Sequence, residues 1–527
     1  MISTSEVSLT YDTRKLFEDV SMKFTPGNCY GVIGANGAGK STFLKILSGQ
    51  IEPSKGVVIL DKNCNLSVLK QDHFQFDEET VLQTVILGNR RLISIMNEKD
   101  AIYAKADFSE ADGVRAAELE TEFANLGGWE AEANAGTLLH GLGIPESDLG
   151  LKMKELIDSK KVKVLLAQAL FGNPDVLLLD EPTNHLDARA IVWLENFLLD
   201  FENTVIVVSH DRHFLNKVCT HMVDIDYQKI QLFVGNYDFW KESSTLAMHL
   251  RSNENKKKED KAKELEAFIR RFSANASKSK QATSRRKQLE KLTLDDIPSS
   301  TRRYPHIVFE QEREIGDILL KVSNLSKSIN GKVILKNVSF ELFKGDKLLF
   351  VGDNEIAKSA LLDILSGKAT ADSGSIEWGI TTSRTYLPKD HNPFFAGSSR
   401  SIKEWLKEFS TDKSDNFVRG FLGRMLFSGE ETLKGTDVLS GGEKVRCLLA
   451  KMMLTKSNVL LLDGPTNHLD LESISSLNKG LMEFGGSILF STHDQEFAQT
   501  VSNRIIEVGK DGIIDHQMDY QTYIQSI

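Results

Sequence analysis

The sequence predicts an α/β fold laid down twice, as two tandem domains joined by an α-helical hairpin. Three observations carry the prediction. First, LLLDEPTNHLD ends at Asp187 and LLLDGPTNHLD ends at Asp470, so one unit recurs 283 residues further on. Second, each copy runs on through a short strand into a His-Asp pair, His210–Asp211 and His493–Asp494, at the same offset. Third, the stretch between the copies changes composition. From Arg251 to Lys291 it carries fourteen Lys/Arg against six Asp/Glu, in a chain of net charge −10.

Each element follows from local pattern. Apolar runs such as Val176–Leu179 and Val205–Val208 are too short to span a bilayer and suit buried strands. Upstream, Lys40 in GANGAGKST matches Lys358 in GDNEIAKSA, an offset of 318 residues. The first copy therefore holds 35 extra residues between these landmarks. Ala, Glu and Leu place them as helices within about 90–135. The domains are expected at 1–240 and 316–527, with the linker at 241–315. In that linker Leu265, Phe268, Ile269 and Phe272 fall at i, i+3, i+4, i+7, one face of a helix. SANASKSKQATS follows, and then a second helical stretch through Leu289 and Leu292.

Composition narrows the class. A chain of 527 residues exceeds one core, and 41% hydrophobic with 26% charged residues is an ordinary globular balance. The first residues include Glu6 and Asp12 and lack a basic-then-apolar signal. Cys29, Cys64, Cys219 and Cys447 form no CxxC pair, which argues against a zinc ribbon or an iron–sulfur cluster. A cytoplasmic protein with no membrane domain is expected. Net acidity predicts no general affinity for nucleic acid, so a polyanion would have to be met by a local patch.

The chemistry begins at Gly34-Ala-Asn36-Gly37-Ala-Gly39-Lys40-Ser41-Thr42, which follows the apolar Tyr30–Ile33 and opens a helix. This is the context a P-loop requires. Backbone N–H groups curl round phosphates, Lys40 neutralises their charge, and the Ser41 hydroxyl can ligand Mg²⁺. Asp180 ends an apolar strand, as a Mg²⁺-organising carboxylate should. Glu181 follows and can polarise or deprotonate water. His210, at the end of the next strand, can contact a terminal phosphate. ATP with Mg²⁺ is the expected substrate pair.

LSGGE occurs once, at Leu439–Glu443, 24 residues before Asp463. With the P-loop, LLLDEP and the histidine, the chain resembles the ATP-binding cassette superfamily across both copies. The resemblance implies an intramolecular head-to-tail pair in a single chain, with each ATP held between one copy's P-loop and the other's LSGGE. Site one then joins Tyr11 (adenine stacking), Gly34, Asn36, Gly37, Gly39, Lys40, Ser41, Thr42, Gln71 (Mg²⁺), Asp180, Glu181 and His210 to Ser440, Gly441, Gly442 and Glu443. Site two keeps Gly352, Asn354, Lys358, Ser359, Asp463 and His493. It departs elsewhere: Glu355 and Ala357 stand for glycines, Ile329 for the stacking aromatic, Lys389 for glutamine and Gly464 for the catalytic glutamate, while Leu156–Lys160 reads LIDSK for the signature. Glu355 is expected to repel phosphate. Weak nucleotide binding and an empty site both stay open.

Two fused cassettes, no membrane span, and the segment RRFSANASKSKQATSRRKQLEKL with STRRYP resemble the ABC-F family of ribosome-associated translation factors, in its YbiT/YkpA-like branch. The resemblance implies ATP hydrolysis, an arm insertion, and binding at the ribosomal tRNA exit site. Lys278, Lys280, Arg285, Arg286 and Lys287 would then meet rRNA or tRNA. A regulatory ATPase acting through a protein partner, or ribosome protection against antibiotics, are the alternatives.

Overall fold

The computed structural model describes the chain except residues 12–13, 63, 71–73, 106, 185, 273–283, 288–301, 315, 353, 397–399, 510–511 and 527. Each copy pairs a six-stranded sheet with a three-stranded antiparallel one. In the first, the six strands run in the order Leu66–Val68, Val176–Asp180, Thr204–Val208, Cys29–Gly34, His221–Asp226, Lys229–Val234. The second repeats it as Arg384–Leu387, Val459–Asp463, Ser487–Ser491, Lys347–Val351, Arg504–Gly509, Gly512–His516. All neighbours pair parallel except the last two of each sheet. The smaller sheets centre on Ile2–Tyr11 and Ile318–Ile329.

Continuous apolar runs form the central strands because both faces are covered. Val176–Leu179 and Val205–Val208 are buried along their length, as are Val459–Leu462. Each such side chain contributes roughly 1.5–3 kcal/mol of burial. The parallel register places Asp180 opposite Val208, and Cys29–Val32 opposite Val205–Val208. The C-terminal ends of three adjacent strands thus come together, the crevice where open α/β sheets bind ligands.

The insertion folds as helices Arg90–Tyr103 and Glu110–Asn125. They run antiparallel, because Arg91 pairs with Glu122, Arg115 with Glu98 and Lys105 with Asp112. The linker's first helix spans Tyr237–Phe272, starting inside the segment assigned by sequence to the first domain. A short described helix holds the exposed Arg285, Arg286 and Lys287. Lys278, Lys280, and Leu289 and Leu292 of the second helical stretch lie outside the described residues. Residues 302–314, expected within the hairpin, instead form a strap on the second copy. Ile307 and Phe309 join its core, and His306 N–H donates to Arg424 O at 2.8 Å.

Arg302 pins that strap. Its guanidinium meets Asp224, Asp226 (3.1 Å) and Glu472 (2.9 Å), and it lies 4.7 Å over the Trp240 ring. Asp224 and Asp226 belong to the first copy's sheet, and Glu472 to the second copy's helix Leu471–Glu483. All three carboxylates are buried. Arg302→Ala should therefore lower stability by about 3–5 kcal/mol, read as an earlier chemical-denaturation midpoint, because buried carboxylates lose their counter-charge. A midpoint unchanged from the parent would show that solvent already screens the cluster.

Candidate functional site

The P-loop follows strand Cys29–Gly34 and opens helix Lys40–Leu47. Around it lies a cavity of about 360 Å³. Asn36, Gly37, Gly39, Lys40, Ser41, Thr42, Glu181 and His210 line it from the first copy. From the second copy come Thr466, Asn467, His468, Leu469, His493 and Asp494. The first copy's phosphate loop and the second copy's PTNHLD segment thus face one space.

Two contacts define that meeting. The Asn36 side-chain amide donates to His468 O at 3.3 Å. A methyl group added at Gly442 would stand 2.7 Å from His468 O and 3.6 Å from Asn36 Nδ2. The LSGGE glycine therefore packs within a side chain's width of the P-loop. Ser440, Gly441 and Glu443 sit one step back. Ser440 caps helix Gly441–Thr455, and Glu443 accepts from Ser440 N–H at 2.7 Å and from Lys434 at 2.8 Å. Gly441 is covered by the His468 ring, 3.0 Å from where its Cβ would be. His468 is the participant the motif reading passed over. PTNHLD served there as a repeat landmark, although its recurrence in both copies was a signal of use.

Lys40 is buried, and its ammonium donates to Gly34 O at 2.8 Å and Ala35 O at 3.3 Å. Burial lowers its pKa, against the charges of Glu181, Asp470, Glu472 and Asp180. Glu181 Oε2 accepts from His210 N–H at 3.2 Å, and Oε1 lies 3.3 Å from His210 Nε2. Burial pushes the Glu181 carboxyl up from 4.5 to about 8, with Lys40 opposing and Asp180 adding to the rise. His210 is driven down to about 3 by burial and by Lys40, so its ring is neutral. Its Nδ1 is buried without a hydrogen-bond partner among the described residues, as a donor or acceptor reserved for a ligand would be.

Glu181 occupies the left-handed region at φ +52°, where a side chain is strained by about 1–3 kcal/mol. The aligned position in the second copy is Gly464, at φ +61°. The same turn is kept where no carboxylate is present, and glycine relieves the strain. Asp180 ends its strand beside Glu181 and acts electrostatically on Lys40. The Ser41 and Asp180 oxygens suit the hard cation that accompanies a triphosphate. Gln71 lies outside the described residues, as does the side chain of Tyr11, whose backbone ends strand Ile2–Tyr11.

Site two is built differently. Gly352 follows strand Lys347–Val351, and Asn354 caps a helix that begins at Glu355. Ser359 bonds Asp463, whose Oδ1 accepts from Ser491 at 2.8 Å. His493 Nδ1 lies 2.8 Å from Leu186 O of the first copy. Glu355, expected to repel phosphate as a lone charge, is paired within the chain. Its carboxylate is neutralised by Lys358 and by Lys389 at 3.1 Å.

The ABC transporter family model matches residues 17–184 and 335–467, and its extension model, also described as ABC transporter, matches 223–309. The ABC transporter ATP-binding protein YkpA of Bacillus subtilis (strain 168) is 61% identical over 527 residues, covering 100% of this chain and 98% of that protein. The probable ATP-binding protein YbiT of Escherichia coli O157:H7 is 44% identical, covering 100% and 99%. Among solved structures, RNase-L Inhibitor superposes with TM-score 0.63 at 18% identity, covering 99% of this chain and 93% of that one. The archaeal ribosome recycling factor aABCE1, in complex with ribosomal stalk protein aP1, gives 0.62 at 18%, covering 99% and 92%. These two share the fold.

The raised Glu181 carboxyl makes a prediction with a definite sign. Below 4.5 it is protonated folded and unfolded. As pH rises toward about 8 the unfolded chain releases that proton first, so the nucleotide-free fold loses stability across this window. The Tm of Glu181→Gln should rise relative to the parent between those limits and level off above. A Tm difference independent of pH would show that Glu181 titrates normally.

Proposed function

This chain belongs to the ABC-F group of the ABC transporter family, beside YkpA and YbiT, and from that premise we propose that it hydrolyses ATP at site one and uses the cycle to bind and leave the ribosome. The observation that carries the reading is the single cavity shared by Lys40, Glu181 and His210 with the second copy's His468, beside Gly442.

In this proposal the amides of the Asn36–Thr42 loop and the Lys40 ammonium hold the triphosphate. Ser41 and Asp180, with Gln71, would hold Mg²⁺, which supplies neutralisation of β- and γ-phosphate charge. Glu181 in its ionised form orients and deprotonates the attacking water, and positive charge nearby favours that form. The neutral His210 ring contacts the terminal phosphate. Gly442 and Ser440 approach from the other side, so an intact triphosphate favours closed copies and its cleavage removes that preference. The tRNA exit site is the proposed target in the cytoplasm, with Lys278, Lys280, Arg285, Arg286 and Lys287 against rRNA or tRNA. A solved structure of the same fold is described as a ribosome recycling factor, which is consistent with such a target.

Glu181→Gln should lose nearly all ATP turnover while still binding ATP. Incubated with ATP and ribosomes, it should co-sediment with them, and charge reversal at Lys278–Lys287 should abolish the co-sedimentation. The association should weaken steeply with salt, as phosphate contacts do. Wild-type hydrolysis by Glu181→Gln would refute the catalytic assignment. Unchanged pelleting of the charge-reversed chain would remove the basic segment, and a nuclease-resistant complex without ribosomes would point to a protein partner.

A further inference from the structure

Site two already contains an anion, and the anion belongs to the chain. The Glu355 carboxylate pairs with the P-loop lysine Lys358 through Oε1. Its Oε2 lies 3.1 Å from Lys389 and 3.3 Å from His493 Nε2. Each of these three partners occupies a position the family motif assigns to nucleotide: the P-loop lysine, the position of the Mg²⁺-contacting glutamine, and the histidine that meets the terminal phosphate. The lysine of site one, by contrast, turns to the backbone carbonyls of Gly34 and Ala35.

The backbone confirms the difference. In site one the loop holds Gly37 and Gly39 at φ +76° and +107°, and the helix waits until Lys40. In site two the helix begins at Glu355, the residue aligned with Gly37. Ala357 N–H donates to Asn354 O at 3.0 Å, and Lys358 N–H to the same oxygen at 3.2 Å. Amides that a phosphate nest would aim at a ligand are spent within the helix. Burial would raise the Glu355 pKa, but the His493 hydrogen bond and the Lys358 and Lys389 charges hold it well below the usual carboxylate range. His493 extends the cluster to Leu186 O of the first copy, 2.8 Å from Nδ1. The anion cluster therefore ends on the opposite copy.

We propose that Glu355 is a built-in ligand of site two, a tethered carboxylate that takes the place of a nucleotide phosphate, so that this site binds no ATP and holds its half of the interface together without any. Site two then serves as a constant joint while site one opens and closes.

Two measurements on the full chain test this. Equilibrium binding of a non-hydrolysable ATP analogue with Mg²⁺ to the unaltered chain should saturate at one nucleotide per chain. Saturation at two nucleotides per chain would overturn the proposal. Glu355→Gln keeps the shape and removes the charge. In the nucleotide-free variant, peptides carrying Leu186 and His493 should exchange amide hydrogens about tenfold faster, while the central strands keep their protection and report an intact fold. Unchanged exchange at those peptides would equally overturn it. Neither result depends on which residue hydrolyses ATP, so a failure of the Glu181 assignment would be seen separately.

Discussion

Each copy grips the other by a backbone carbonyl of its PTNHLD loop. Asn36 donates to His468 O at one end, and His493 Nδ1 meets Leu186 O at the other. These two contacts join the copies at the nucleotide sites. They hold Gly442 against the P-loop, and they bring the second copy's loop over the cavity. The first bond is exposed and the second partly buried, so each contributes on the order of 0.5–1.5 kcal/mol to the joining of the copies. Arg212 reinforces the contact from within, with Glu496 at 2.8 Å and Leu471 O at 3.3 Å. Two carboxyls interact across the same seam: Asp211 and Asp494 cap equivalent helices from opposite copies, and burial together with Asp494 raises the pKa of Asp211 to about 8, so near neutral pH the pair keeps a proton and avoids two facing charges.

The two ends of this seam have opposite solutions to one problem. A P-loop lysine in a buried site needs an anion. Site one leaves Lys40 on weak carbonyl partners, so an arriving triphosphate gains most of its charge-assisted bonds there. Site two satisfies Lys358 internally, and a nucleotide would have to displace a carboxylate held by three partners. The strained Glu181 and the relaxed Gly464 show the same division. Strain of this kind persists where the surroundings over-determine it, and the second copy has discarded it together with the carboxylate.

Much of this was legible in the residues, for a physical reason. Strand Val176–Asp180, the Asn36–Thr42 loop and the His-Asp pairs are local patterns whose chemistry is written in consecutive positions. The roles of His468 and Glu355 were not legible, because each depends on a partner brought close by folding. His468 acts through a carbonyl, which every residue has. Glu355 alone reads as a repulsive charge; its meaning reverses once Lys389 and His493 converge on it. The strap at 302–314 was hidden similarly. Pro305, Ile307 and Phe309 alternate with exposed neighbours over too short a stretch to stand out, and their burial comes from the second copy's core.

The linker is tied to site one by a short chain of charges. Glu472 stands in the helix that follows PTNHLD, close enough to act electrostatically on Lys40, and it bonds Arg302 at 2.9 Å. Arg302 in turn holds Asp224 and Asp226 of the first copy, next to Trp240 in the linker's first helix. Helix Leu471–Glu483 moves with the second copy, and Asp224 with the first. Any rotation that lifts the second copy's loop from the cavity must therefore pull Arg302 from one set of carboxylates or the other. Spatial continuity alone would be a weak argument for coupling. Its strength here is that one guanidinium bonds carboxylates on both sides of the seam, Asp224 and Asp226 on one and Glu472 on the other.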